Sequence, residues 1–256
     1  MYLVPVIVFA ILFIMGNGLS SLQVYGHASP ITYVPKPNEI IDSVQSTPDK
    51  LTISFTESPE PRASSVKVIN SNNERIDNND LQVSDSDKSL SVSLDKSKVV
   101  PGIYTTDWLV LSKEDGHITR GSYVFSIAEN NSQSQQLQQQ QNITNASSGY
   151  SKNITTADDI IFRFEIIPFQ IGQNTFNLSA SYANGTAVEN IRNVYLEFNN
   201  PIKNLGPIVD TMEKVDSGKY SLVGNYLSQN GNWEIEMTIQ RIGEYDINQQ
   251  FNIEIK

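Results

Sequence analysis

Cysteine is absent from the 256 residues, which excludes a disulfide framework and any thiolate metal site. Thioethers are scarce, at four Met, and only two histidines occur, His27 and His117. Any imidazole chemistry therefore uses one or both of them. Positive charge is also thin: 18 Lys and Arg stand against 28 Asp and Glu, a formal net charge of -10. Nucleic acid needs cationic neutralisation of its phosphates, so this balance argues against it as a partner. A cation is mildly attracted by the same excess. No segment of the two main blocks shows a sustained 3.6-residue apolar period, and no Gly-x-Ser-x-Gly nucleophile elbow occurs.

What is present begins with a charge-free apolar run over residues 2–22. Two readings fit it: a secretory signal, or a membrane anchor approaching the ~20 residues that span a bilayer. Gly16, Asn17, Gly18, Ser20 and Ser21 interrupt the anchor pattern and favour the signal. Either reading places the bulk of the chain outside the cytoplasm. The stretch "VYGHASP" follows, with small residues at Gly26 and Ala28. A cut after Gly26 leaves His27 at the start of the mature chain, where imidazole and α-amine form one bidentate nitrogen chelate. A cut after Ala28 removes that histidine.

Two β-rich blocks surround a polar spacer. The first has apolar–polar alternation in "LTISF", then "SSVKVIN", "SLSVSLD", "GIYTTDWLVLS" and "GSYVFSI", separated by Asn-, Asp-, Pro- and Gly-rich turns. The second contains about seven such segments. In "NWEIEMTIQ" the inward set is Trp233, Ile235, Met237 and Ile239; Met212 is the one methionine there that alternation leaves free to be exposed. The expected fold is all-β, two Greek-key or immunoglobulin-like sandwiches joined by a flexible Gln/Asn/Ser-rich linker. The expected organisation is residues 1–26 signal, 27–129 first sandwich, 130–156 linker and 157–256 second sandwich. As a coil the linker spans roughly 30 Å, and it carries Asn-x-Ser/Thr acceptors at Asn130, Asn142, Asn145 and Asn153.

Between two strands of the first block lies "KEDGHITR". Asp-Gly is a hairpin signal that needs no function. Residues two apart on an extended chain project to one side, however, so Asp115 and His117 can present an oxygen and a nitrogen to one ion. Two ligands bind weakly. A terminal His27 adds an amine and a second imidazole, giving three nitrogens and one carboxylate oxygen. That set suits tetragonal Cu(II); Zn(II) accepts His2Asp tetrahedrally and is the rival. Cu(I) prefers sulfur donors, and the first block has none. Glu114, Asp107 and Thr119 are candidate partners for an imidazole N–H.

"HASPITYVPKPNEII", "LTISFTE" and "VPGIYTTDWLVLSKEDGHITRGSYVFSI" together resemble the CopC copper-binding proteins over about 100 residues. The closing pattern is carried by Gly102, Tyr104, Trp108, Ser112, Asp115, His117, Gly121 and Phe125. The resemblance implies a β-sandwich that binds one Cu(II) per chain through His27, Asp115 and His117, without enzymatic activity. It implies copper storage, homeostasis or resistance, or delivery to a CopD-like membrane transporter or a copper enzyme. The methionine-rich Cu(I) site of some members has no counterpart here. The second block is similar, through "SASYANGTAVENI" and "GKYSLVGNYLSQNGNWEIEMTIQRIG", to YtkA-like domains. Two other classes compete: a histidine-brace copper monooxygenase, and a structural cell-surface adhesion module. In the first, Asp115 fills a position that oxygen chemistry needs open.

Overall fold

The structure, a computed structural model, describes residues 27–84, 88–129, 149–156 and 158–256. The leader and most of the spacer, with Asn130, Asn142 and Asn145, lie outside the described residues. Among those described, the chain is all-β with three short 3-10 turns, and no helix is long and apolar enough to cross a membrane.

The first sandwich faces one four-stranded sheet against another. One sheet holds β1 (Pro30–Val34), β3 (Lys50–Phe55), β6 (Ser89–Ser93) and β5 (Gln82–Val83), in that order. The other is ordered β2 (Ile40–Ile41), β8 (Ile118–Ile127), β7 (Gly102–Leu111) and β4 (Ser65–Asn70). Only the β2–β8 pairing is parallel. Alternation decides which side chains enter the core. Leu51, Ile53 and Phe55 from β3 meet Tyr104, Trp108 and Val110 from β7, and all are buried. Phe55 and Trp108 pack edge-to-face with centroids 5.6 Å apart, a contact contributing about 0.5–1.5 kcal/mol beyond area burial. Across the β7–β8 ladder, Trp108 is paired with Gly121. A Cβ at Gly121 would lie 2.7 Å from Trp108 Cζ2, so the indole occupies the space that glycine leaves.

Among the described residues, nine strands make the second sandwich. β9 (Tyr150–Thr155), β10 (Ile160–Ile167), β11 (Gly172–Tyr182), β15 (Lys219–Leu227) and β14 (Glu213–Asp216) form one sheet. β13 (Leu205–Thr211), β12 (Ile191–Asn200), β16 (Gly231–Arg241) and β17 (Ile247–Ile255) form the other. Trp233, Ile235, Met237 and Ile239 all point into the core, as the alternation of β16 requires. Met212 does too: it is 3% exposed, held between strands by its N–H to Val194 O at 2.8 Å.

Two sequence expectations need correction. Residues 150–155, expected within the linker, are strand β9 on the edge of β10. Its inward face alternates Tyr150, Lys152 and Ile154: the two apolar residues pack on the second core, and Lys152 Nζ lies 5.5 Å over the Phe251 ring. A lysine stem covering an aromatic ring is compatible with a strand, but in composition it reads as spacer. The acceptor Asn153 is exposed on this strand. The sandwiches are also packed on each other. Ile69 and Val124, on the outer face of the β2-β8-β7-β4 sheet, belong to the second sandwich's apolar cluster.

Candidate metal centre

The β7–β8 hairpin closes with Leu111 opposite Ile118, leaving a six-residue tip over 112–117, wider than the two-residue turn that Asp-Gly favours. Ser112 N–H donates to His117 O at 2.9 Å and Gly116 N–H to Ser112 O at 3.1 Å, with Gly116 at φ +71. That left-handed conformation suits glycine. The Ser112 hydroxyl organises the tip: it accepts the N–H groups of Glu114 (3.1 Å) and Asp115 (3.2 Å) and donates to Glu57 at 2.6 Å. Asp115 Oδ1 in turn accepts the His117 N–H at 2.9 Å. Ring and carboxylate are therefore set by backbone before any ion enters.

His27 arrives from 88 residues away. Its neighbour Ala28 is fully buried, and its backbone is tied on two sides. Thr56 Oγ1 donates to His27 O (3.1 Å) and accepts the Ser29 N–H (2.9 Å). Thr119 Oγ1 donates to Ala28 O at 2.7 Å. The end of β3 and the start of β8 thus hold His27 beside the hairpin tip.

Both rings turn Nδ1 toward one oxygen. Asp115 Oδ2 lies 3.3 Å from His27 Nδ1 and 3.1 Å from His117 Nδ1. The ring centroids are 4.7 Å apart at 64°. One ligand atom from each residue falls within 4.8 Å of the others, slightly wider than the roughly 4.4 Å limit set by metal–ligand distances of about 2.0–2.2 Å, so a small inward turn of the exposed rings would bring all three onto one ion. The imidazoles are 58% and 63% exposed, while the aspartate side chain is only 7% exposed. The donors therefore open to solvent on one side and rest on a fixed carboxylate on the other. The Asp115 carboxyl is held down to about 2, first by the His117 backbone N–H, against an opposing push from burial, then by the side chains of His117, Ser112 and His27. The ionised carboxylate therefore favours the folded tip above about pH 4, its ordinary range. That contribution is lost as pH falls toward 2.

The three expected ligands thus come together, while the three expected imidazole partners do not serve that role. Glu114 accepts the Ser58 N–H with both oxygens, at 3.0 and 2.9 Å, and this bond holds its carboxyl below the usual range. Thr119 is bonded to Ala28 O. Asp107 lies away from the tip, accepting the Ser122 hydroxyl, and burial pushes its carboxyl up. Of the residues that do shape the site, Ser112 entered from sequence only as part of the closing pattern, and Thr56 and Glu57 were assigned no role. A Ser112→Ala variant, lacking the acceptor for two N–H groups, is expected to bind metal about 10-fold more weakly. Competition against a chelator of known affinity checks this.

Fold and cluster together define a class: a β-sandwich protein with an exposed two-histidine, one-carboxylate centre at a sandwich rim. Residues 35–128 match the CopC domain family. Protein YobA of Escherichia coli K12 is 35% identical over 115 residues, which cover 44% of this chain and 89% of that protein. YobA of Shigella flexneri matches to the same extent. The chain belongs to the CopC family. Among solved structures, CopC from Methylosinus trichosporium OB3b is similar at 21% identity and a TM-score of 0.36, covering 41% of this chain and 97% of that one. PcoC, a methionine-rich copper resistance protein from Escherichia coli, is similar at 19% identity and a TM-score of 0.33, covering 40% and 99%. The family match ends at residue 128 and so bears on the first sandwich.

Proposed function

We propose that this chain is an extracytoplasmic, non-enzymatic Cu(II)-binding protein that takes one ion per chain for storage, homeostasis or delivery. The observation that carries the reading is the convergence of His27, Asp115 and His117 on one point, within 4.8 Å. With the leader cut after Gly26, His27 adds its α-amine, which closes a chelate ring with the Nδ1 that faces Asp115. Three nitrogens and one oxygen result, a donor set matched to Cu(II). The Asp115 carboxylate lies beside both imidazoles and would occupy a position on the ion that a histidine-brace oxygenase leaves open, which favours carriage over oxygen activation. The exposed rings leave the ion accessible to an acceptor, a CopD-like transporter or a copper enzyme. The second sandwich is read as YtkA-like on its sequence motifs.

Titration of the mature protein with Cu(II) is expected to give a tetragonal three-nitrogen, one-oxygen EPR signal that saturates at one equivalent. N-terminal sequencing is expected to start at His27. A silent titration overturns the proposal. Metal uptake requires nitrogens free of protons, so affinity should fall at least about 10-fold between pH 7.5 and 5. Asp115 stays ionised down to about pH 2 and contributes nothing to that slope. An Asp115→Asn protein should bind more weakly with the pH slope unchanged.

A further inference from the structure

The second sandwich covers the outer face of the β2-β8-β7-β4 sheet along a continuous seam. Val124 and Ile69 are buried in the second sandwich's apolar cluster. Around them polar groups are matched across the seam. Thr105 Oγ1 and Ser228 Oγ are 2.8 Å apart, Ser122 Oγ accepts the Gly206 N–H at 3.1 Å, and Gln229 Nε2 donates to Asn70 O at 3.2 Å. At one end Asn38, at φ 58, is fixed on the first sandwich by its N–H to Val124 O at 2.7 Å. Its side-chain amide reaches across to Tyr226 Oη at 2.8 Å and Asp210 Oδ2 at 3.3 Å. The glycines fit the same seam. A Cβ at Gly172 would lie 3.2 Å from Ile103 Cδ1 across the seam, and one at Gly224, blocked first by the Tyr226 ring of its own sandwich, would lie 2.9 Å from Asn38 Oδ1.

We infer that the second sandwich is a dedicated partner of the first, docked on this sheet face by its own complementarity rather than kept nearby by the connecting segment. An apolar centre ringed by polar pairs is the anatomy of a specific interface, and here Asn38 Oδ1 and Gln229 Oε1 are the seam oxygens buried without a partner among the described residues. A tethered neighbour in chance contact does not pair polar groups at separate points along the seam, as Asn38 with Tyr226, Thr105 with Ser228, Ser122 with Gly206 and Asn70 with Gln229. The docked domain closes the sheet face to other proteins and leaves the hairpin tip as the accessible end.

The test uses the full chain with a protease site placed within residues 130–148. After cleavage the two halves are expected to co-elute in gel filtration at about 1 μM and to melt in one transition. Separation of the halves, folded or not, overturns the inference. Val124→Lys, which puts an ammonium into the apolar centre, should raise the Kd of the nicked halves by at least about 100-fold. Asn38→Gly, which keeps the left-handed turn at φ 58 and removes only the side-chain amide, should raise it about 10-fold. Circular dichroism checks that each variant keeps its sheet signal. A Kd unchanged in both Asn38→Gly and Val124→Lys also overturns the inference. Metal is absent throughout, so the result is independent of the copper reading.

Discussion

On the proposed ligand set, His117→Ala is expected to lower Cu(II) affinity by more than about 100-fold, beyond the 10–100-fold that loss of a supporting contact costs. The expectation follows from the number of donors. With His117 removed, the centre keeps the His27 chelate and Asp115, but nothing remains to close the opposite side. The ring is 63% exposed and packs against no core residue, so the sandwich should melt within about a degree or two of wild type. The EPR signal should lose one nitrogen. Competitive titration with a chromophoric chelator reads the affinity, and unaltered binding would remove His117 from the ligand set. His27→Ala tests the other arm differently: it deletes an imidazole but retains the α-amine. Its loss should be large and its spectrum distinct from that of His117→Ala.

Trp233→Ala destabilises the protein by about 3–5 kcal/mol. The indole is fully buried at the start of β16, and its Nε1–H donates to Gln229 O at 2.9 Å. Truncation leaves a cavity and a carbonyl without its donor. The neighbouring Gln229 side chain bonds to Asn70 O of the first sandwich, so the damage should extend to the seam. For a chain of this size the Tm should fall by on the order of 10 °C, as calorimetry would show. A shift under about 2 °C would mean that the second core tolerates the void.

The sheet architecture was legible because inward residues in both blocks are large and apolar at a period of two. Leu51, Ile53 and Phe55, or Trp233 through Ile239, admit one sensible face. The candidate ligands were legible for a different reason: with two histidines in the chain, the pattern Asp115–Gly116–His117 had few competitors. The supports of the centre were not. Thr56, Glu57 and Ser112 are common residue types, and their hydrogen bonds exist only because β3 ends beside a hairpin tip some 55 residues later. The seam was hidden by the alternation rule itself. Thr105, Ser122 and Asn38 sit at outward positions and are polar, which marks them for water until a second domain supplies partners. Strand β9 was missed similarly, since Lys152 occupies the middle of its inward face. Met212 was left open by alternation because strand β13 ends one residue before it; it is buried, with its N–H on Val194 O.

The position of the seam along β8 bears on how the ion is exchanged. From Ser122, where the second sandwich first bonds to this strand, to His117 is about 17 Å of extended chain. An ion held at the tip would therefore come and go without the seam opening. The rim that brings His27, Asp115 and His117 together and the seam that joins the sandwiches can be altered independently of each other.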